Sequence, residues 1–256
     1  MNLKLPVDIA ENYTSGAQRA RVMSEHWVKN TIYCPHCGND LSSFENNRPV
    51  ADFWCDRCTQ EYELKAKKGS VGKKIVDGAY YTMLERLTGN RHPHLMLLVY
   101  NRTTLDVHNF YTIPNYFFTP SIIEKRKPLK GAARRTGWIG CNIIVDNIPD
   151  IGKIFYVQQG VPKSRQEVLD GWRRTDFVNR VQDIEAKGWL LDILLCVEKL
   201  HRQDFTLEDI YKFEDFLKTK HPANHHIQAK IRQQLQFLRD KDVIEFRERG
   251  VYRMKR

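Results

Sequence analysis

Four cysteines form two pairs with the spacing of metal ligands. Cys34 and Cys37 make the first pair and Cys55 and Cys58 the second, with 17 residues between the pairs. This spacing is typical of a two-knuckle zinc site. Thiolates are soft ligands, and four of them complete the tetrahedron that Zn²⁺ prefers, which leaves no position for a substrate. The pattern therefore predicts a structural zinc site.

A second set of polar residues flanks the second cysteine pair. Asp52 precedes it, and Glu63 and Lys65 follow it. Residues 49–54 and 61–66 are predicted strands, joined by the turn that holds the cysteines, so a metal at the turn would fix their register. Because residues two apart on a strand share a face, Glu63 and Lys65 can face a cleft together.

Two carboxylates and a lysine on one sheet face suit metal-assisted hydrolysis of a phosphodiester. Asp52 and Glu63 would bind Mg²⁺, which prefers oxygen ligands, and the backbone carbonyl of Leu64 could add another ligand. Lys65 would orient or deprotonate the attacking water and offset charge on the phosphate. The order resembles the PD-(D/E)xK nuclease motif, with Pro49 three residues before Asp52 instead of adjacent. Glu and Lys also alternate on many solvated strands, so the motif alone leaves both interpretations open.

The composition favours a polyanionic partner. The 256 residues include 41 Lys and Arg against 31 Asp and Glu, a formal net charge of +10, and nucleic acid is the simplest partner for that excess. No apolar run is long enough for a transmembrane helix, and the N-terminus lacks a signal-peptide pattern, so we expect a cytoplasmic protein. In a reducing compartment the remaining cysteines, Cys141 and Cys196, are expected to be buried small residues.

The predicted elements before residue 158 mix helices and strands, which gives an α/β or α+β class. Helices are predicted over 15–28 and 73–87, and further strands over 94–100, 110–113 and 153–157. The first helix carries Glu25, which is either a further acid near the metal or a surface glutamate. Residues 158–187 are polar and weakly periodic, and we expect two domains, 1–183 and 184–256.

The second domain has the pattern of a winged helix. Helices are predicted over 189–200, 207–218 and 225–240, followed by a hairpin of 243–246 and 251–254. The third helix would enter the major groove, and the candidate DNA-binding residues on it are His225, Gln228, Arg232 and Gln233. Residues 221–256 carry nine Lys and Arg against four Asp and Glu. This local charge favours DNA over a protein partner.

Several of these segments together resemble the DpnI-type methyl-directed restriction endonucleases. The matching stretches are YCPHCGN, FENNRPVADF, ELKAKKG, DGAYYTM, ARRTGWIGCNI, FTLEDIYKFE and IRQQLQFLRDK. The resemblance covers nearly the whole chain and is weakest between about residues 158 and 187. It is far more specific than the nuclease motif alone.

The resemblance implies a fold, an activity and a set of residues. That family cuts double-stranded DNA at GATC when the adenine is methylated at N6. It has an N-terminal PD-(D/E)xK domain with a structural zinc and a C-terminal winged helix that also binds the methylated site. The catalytic residues would be Asp52, Glu63 and Lys65, and the zinc ligands would be the four paired cysteines. We expect a monomer in solution, with no membrane partner and no small-molecule substrate.

Residues 128–142 are the candidate segment for recognising the methyl group, and we call them the reader segment. Arg134 and Arg135 could contact guanine edges or phosphates, and Trp138 could form a flat apolar wall. By composition, a core tryptophan beside solvated arginines is the simpler interpretation. The family resemblance favours a functional Trp138 and leaves the two arginines open. One buried methyl contributes only about 0.8 kcal/mol, so strong discrimination needs more than one methyl, or a pocket that excludes the water an unmethylated amine needs.

Two other functions fit the same features. A non-catalytic winged-helix regulator or reader of methylated DNA would share the basic charge, the zinc site and the C-terminal domain. It would not need Asp52 to face Glu63 and Lys65. A nuclease that prefers RNA or branched DNA is the third possibility.

Overall fold

The computed structural model describes residues 1–45, 51–89, 92–130 and 136–255. Thirteen strands lie in these residues. In chain order they are β1 Ser42–Ser43, β2 Phe53–Trp54, β3 Glu61–Lys68, β4 Lys74–Ala79, β5 His94–Tyr100, β6 Val107–Ile113, β7 Ile123–Lys125, β8 Gly140–Ile144, β9 Ile154–Gln158, β10 Val161–Pro162, β11 Asp204–Thr206, β12 Ile244–Glu248 and β13 Val251–Met254.

Eight α-helices lie in the same described ranges. They are α1 Gly16–Thr31, α2 Tyr80–Thr88, α3 Arg165–Arg174, α4 Asp176–Asn179, α5 Ile184–Glu198, α6 Leu207–Tyr211, α7 Glu214–Lys220 and α8 Ile227–Asp240. None of the helices in these residues is both long enough and apolar enough to cross a membrane.

A seven-stranded sheet forms the centre of the N-terminal part, in the order β1-β2-β3-β5-β6-β9-β10. Strands β3 and β5 are parallel, and the other neighbours are antiparallel. All residues of β5 are buried, which agrees with its continuous apolar sequence. Helix α1 contributes Trp27, whose ring packs edge-on against Phe110 at 5.4 Å. The mixed α/β class predicted for this part is confirmed.

A second sheet has the order β4-β8-β7 and corrects one prediction. Residues 73–87 were expected to be a single helix, but Lys74–Ala79 form a strand and only Tyr80–Thr88 are helical. Ile75 and Val76 are β-branched and favour a strand, and pairing with β8 supplies the hydrogen bonds that a helix would have made. The strand contains Asp77, which the helix assignment had hidden.

The C-terminal part is a winged helix, as predicted. Helices α6 and α8 contact a three-stranded sheet of order β11-β13-β12, and α5 and α7 pack against α8. The predicted second helix over 207–218 is interrupted, so that α6 and α7 are separate. Thr206 and Asp209 make the predicted capping box at the start of α6. Helix α8 begins at Ile227, two residues later than predicted.

The segment 158–187 joins the two parts and is more ordered than its weak periodicity suggested. Ser164 and Glu167 form a capping box that starts α3. Trp172, on α3, packs edge-on against His94 of the central sheet at 4.9 Å. At the other end of the junction, the carboxylate of Glu198 accepts hydrogen bonds from the backbone N–H groups of Asp150 and Ile151, at 2.7 and 3.3 Å.

Candidate functional site

The four paired cysteines lie together in the folded chain. Their Sγ atoms are within 4.8 Å of one another, and none is in a disulfide. Two of the distances are 3.5 Å, between Cys34 and Cys58, and 3.4 Å, between Cys37 and Cys55. Four thiolates about 2.3 Å from one tetrahedral Zn²⁺ would be about 3.8 Å apart, so the donor set and its size fit zinc. The predicted cluster is confirmed, and zinc itself is the ion that its chemistry favours.

The two cysteine turns have the same backbone design. Gly38 donates its N–H to the carbonyl of Cys34 at 2.8 Å, and Thr59 donates to Cys55 at 2.8 Å. Each acceptor cysteine lies four residues before its donor. Gly38 and Thr59 both have left-handed backbones, with φ values of 80° and 57°. Glycine adopts this conformation without strain, whereas threonine does so at a cost.

The hairpin predicted around the second cysteine pair is present. Phe53 pairs with Tyr62 in antiparallel register, and the N–H of Asp52 donates to the carbonyl of Tyr62 at 2.8 Å. Tyr62 is fully buried and its hydroxyl lies 3.1 Å from Sγ of Cys34. The strand that carries Glu63 and Lys65 is therefore packed against the cysteine cluster.

Asp52 is fixed against β3 through its side chain. Its Oδ2 accepts the backbone N–H of Leu64 at 2.7 Å. Its charge acts on Glu63, where it contributes to a raised pKa, and on Arg21 of α1. Arg21 in turn forms an ion pair with Glu25 at 2.6 Å. Glu25 therefore serves as a partner of an arginine near Asp52, an alternative that the sequence did not suggest.

Lys65 lies between two carboxylates. Its Nζ is 2.6 Å from Oε1 of Glu63 and 2.8 Å from Oδ1 of Asp77. The side chains of Lys65 and Asp77 are only 18% and 9% exposed, so these are not ordinary surface pairs. Glu63 and Lys65, predicted to act together, are indeed in contact, and Asp77 is an additional acid.

Burial and charge shift the ionisation of this cluster. Burial raises the pKa of the Glu63 carboxyl, against the lowering effect of Lys65. Burial opposes the charged form of Lys65, but the carboxylates of Glu63 and Asp77 outweigh it and raise the lysine pKa. A lysine held in this way stays an ammonium ion. It is better suited to orienting a water molecule and stabilising phosphate charge than to removing a proton.

Glu63, Asp77 and His92 form a second group that could hold a metal ion. Each offers one ligand atom, and these atoms lie within 4.8 Å of one another. His92 is buried, stacks on Phe118 at 4.8 Å, and has a pKa lowered by burial. Asp77 and His92 were not among the residues that the sequence patterns predicted. The Asp77–Gly78 turn signal after the β-branched residues Ile75 and Val76 could have indicated a strand that ends near Asp77. No sequence signal marked His92.

The reader segment is only partly described. Arg134 and Arg135 lie outside the described residues, as does Pro49 of the predicted nuclease motif. Trp138 is half-buried, and its ring lies across Gly140, where an added Cβ would come within 2.8 Å of the ring. The glycine is therefore required for the tryptophan to lie flat on the start of β8.

The candidate DNA-binding residues of the C-terminal part are all exposed. They are His225, Gln228, Arg232 and Gln233. Gln228 donates to Glu214 of α7 at 2.9 Å, and Arg232 donates to the hydroxyl of Tyr211 at 2.6 Å. His225 precedes α8 by two residues. Gln228 and Arg232, four residues apart on α8, thus share one exposed face, and both are held in place by the preceding helices.

Comparison with known families covers both parts of the chain. The model of the DpnI, Dam-replacing, family matches residues 1–181. The model of the DpnI C-terminal, Dam-replacing HTH domain matches residues 185–254. The first match alone spans well over half of the 256 residues, and it confirms the resemblance found in the sequence segments. The chain belongs to the Dam-replacing family of DpnI-type methyl-directed restriction endonucleases, with that family's DNA-binding HTH domain at its C-terminus.

Proposed function

We propose that this protein cleaves double-stranded DNA at GATC sites methylated at adenine N6, by Mg²⁺-dependent phosphodiester hydrolysis. The observation that carries the proposal is the charged cluster on β3, where Lys65 contacts Glu63 beside Asp52 in a chain of this family. A DNA-binding module without catalytic activity has no need for a lysine held among buried acids. The cluster is also where a PD-(D/E)xK nuclease would place its catalytic residues.

Each residue of the cluster has a distinct part in this reaction. Asp52, Glu63 and the carbonyl of Leu64 provide the oxygen ligands that suit Mg²⁺. When bound, Mg²⁺ would polarise the phosphate and lower the pKa of a water molecule. Lys65 would orient that water and stabilise charge that develops on the phosphate. The raised lysine pKa supports this electrostatic role over that of a general base.

Zinc in the four-cysteine cluster would act on structure alone. Four thiolates fill its coordination shell, and Tyr62 connects the cluster to the strand that carries Glu63 and Lys65. Tyr62 is fully buried, so this connection lies within the core. We therefore assign the cluster the role of fixing the hairpin register and not a step in hydrolysis.

Recognition would be divided between two domains, 1–183 and 184–256. The family matches, which end at residue 181 and begin at residue 185, support this division. In the first domain Trp138 would contact the N6-methyl group, and Arg134 and Arg135 would contact guanine edges or phosphates. In the second, α8 would enter the major groove, where the N6 position of adenine is exposed. We propose that the protein acts as a monomer in solution and cuts the two strands in succession.

Plasmid digestion tests this function. One DNA preparation would carry N6-methylated GATC and the other would not, and each would be incubated with Mg²⁺ or with Ca²⁺. We expect discrete fragments only from methylated DNA with Mg²⁺, no fragments with Asp52→Ala, and normal cleavage with Asp170→Ala. Asp170 is a matched control because it is a half-exposed aspartate of α3, paired with Arg173.

Each other outcome contradicts part of the proposal. Methyl-dependent binding in a gel-shift assay without any cleavage would make the protein a reader of methylated DNA. Cleavage of unmethylated DNA at the same rate would remove the methyl dependence. Cleavage that survives in Asp52→Ala would remove the assigned active site.

A further inference from the structure

Lys65 contacts two carboxylates, and these come from different sheets. Glu63 lies two residues before Lys65 on β3 of the central sheet, whereas Asp77 lies on β4 of the second sheet. The lysine ammonium is 2.6 Å from the first carboxylate and 2.8 Å from the second. The contact between Lys65 and Asp77 therefore joins the two sheets at the active site.

Asp77 is itself held in a fixed orientation. Its Oδ1 also accepts the backbone N–H of Gly78 at 2.8 Å. Its backbone pairs with Cys141 of β8, and the strand bulges between Asp77 and Ala79. A bulge redirects a side chain out of the regular strand alternation, and such features are common beside active sites. The carboxylate is thus directed to Lys65 by the local backbone as well as by charge.

The same strand pair carries the reader segment. Residue Ile139 accepts a hydrogen bond from the N–H of Tyr80 at 3.0 Å, and Trp138 precedes it. Cys141 completes the contact, with Sγ 3.5 Å from the carbonyl of Gly78. Asp77 therefore pairs directly with β8, and Trp138, the candidate methyl-recognition residue, lies two residues before that strand begins.

We propose that Asp77 is a positioning residue that holds the Lys65 ammonium in place for DNA cleavage. The proposal rests on the function proposed above. Glu63 contacts Lys65 and would also bind the metal. Asp77 gives Lys65 a second carboxylate at 2.8 Å, so the lysine keeps a partner and its place when Glu63 is engaged by the metal. Asp77 acts through Lys65 and does not itself touch the DNA.

A double-mutant cycle tests this role. Single-turnover cleavage of a GATC duplex methylated on both strands would be measured for the wild type, Asp77→Asn, Lys65→Met and the double variant. We expect Asp77→Asn to slow cleavage at least about tenfold and Lys65→Met about 100-fold or more. The double variant should be no slower than Lys65→Met alone, because a residue that acts only through Lys65 has nothing left to position.

Two further readouts separate positioning from a merely structural role. The duplex dissociation constant, measured with Ca²⁺ in place of Mg²⁺, should stay within about twofold of wild type for Asp77→Asn. In urea unfolding without DNA or Mg²⁺, the midpoint shifts of Asp77→Asn and Lys65→Met should be non-additive in the double variant. Glu124→Gln is the matched control, since Glu124 is an acid of the same sheet that pairs with Lys74.

Several results would overturn the inference. Two results would show that Asp77 does not act through Lys65. One is a wild-type cleavage rate in Asp77→Asn. The other is a double variant that is slower than Lys65→Met by the same factor by which Asp77→Asn alone slows the wild type. If Asp77→Asn is too unstable to assay, Asp77→Glu keeps the charge and should retain measurable cleavage that depends on Lys65. Cleavage by Asp77→Glu unaffected by loss of Lys65 would also overturn it. A wild-type protein that cuts no methylated DNA would overturn the proposed function itself, and this inference with it.

Discussion

The β2–β3 hairpin connects two polar clusters that are built in different ways. The cysteine cluster takes its four ligands from two short turns, each with the same backbone hydrogen bond. The acidic cluster takes Glu63 and Lys65 from one strand, Asp77 from another sheet and Asp52 from the edge of the hairpin. The first cluster is chemically complete with one ion, whereas the second leaves charged groups facing one another. We expect loss of the first to cost folding and loss of the second to cost reaction rate.

The largest effect should follow from breaking the cysteine cluster. Cys58→Ser removes one of four thiolates, and structural zinc contributes about 10–16 kcal/mol of apparent folding free energy in zinc-finger peptides. We expect loss of bound zinc, measured by native mass spectrometry, and loss of a cooperative thermal transition in the N-terminal part. Cys196→Ala, in buried α5, should keep a full equivalent of zinc. A Cys58→Ser protein with a full equivalent of zinc and a normal melting curve would show that neither zinc binding nor folding depends on the four-cysteine set.

The acidic cluster should respond in the opposite way. Glu63→Gln removes a proposed metal ligand, so we expect the cleavage rate to fall about 100-fold or more. Lys65 keeps Asp77 as a partner, so the free energy of unfolding should change by less than about 1 kcal/mol. Single-turnover cleavage and urea unfolding measure the two effects. Glu61→Gln, on the same strand, should leave the cleavage rate unchanged. Equal losses of cleavage rate in Glu63→Gln and Glu61→Gln would contradict the difference between the clusters.

A half-buried acid at the junction of the N-terminal and C-terminal parts, Glu198, should act through pH. Burial raises the pKa of Glu198 from 4.5 to about 7, although backbone N–H groups of Asp150 and Ile151 oppose the shift. The folded state therefore binds this proton more tightly than the unfolded state. The resulting stability, up to about 3 kcal/mol, is present below about pH 4.5 and is lost as the pH rises towards 7.

The variant Glu198→Gln cannot titrate, and its unfolding midpoint in urea should vary less than that of the wild type between about pH 4.5 and 7. Glu185→Gln provides the control, because Glu185 is an exposed glutamate in the first turn of the same helix. Identical pH profiles for the wild type and Glu198→Gln would exclude the effect.

The smallest effect distinguishes the two cysteine turns from each other. Gly38→Ala places a Cβ at a φ of 80° and 3.2 Å from Arg165, and it should cost about 1–2 kcal/mol. Thr59→Gly relieves strain at the equivalent position but makes the unfolded chain more flexible, so the net change should stay within about 1 kcal/mol. Urea unfolding with zinc present measures both. Equal destabilisation by the two substitutions would show that backbone strain does not distinguish the turns.

Much of the architecture was predictable because it depends on local patterns. Buried β5 followed from its continuous apolar residues, and the start of α6 followed from the capping box of Thr206 and Asp209. The strand β4 was missed because its residues also fit a helical periodicity, and only pairing with β8 selects the extended form. The split between α6 and α7 likewise has no clear signal in the sequence.

The sequence by itself determined the cysteine cluster, the contact between Glu63 and Lys65, and the winged-helix order. Each depends on residues that are close along the chain, so spacing and periodicity are sufficient. Only the tertiary structure decided that Asp77 and His92 join Glu63, because they reach it from β4 and from the residues just before β5. Side-chain neighbours that come from different sheets are set by strand order and packing, and no local pattern encodes them.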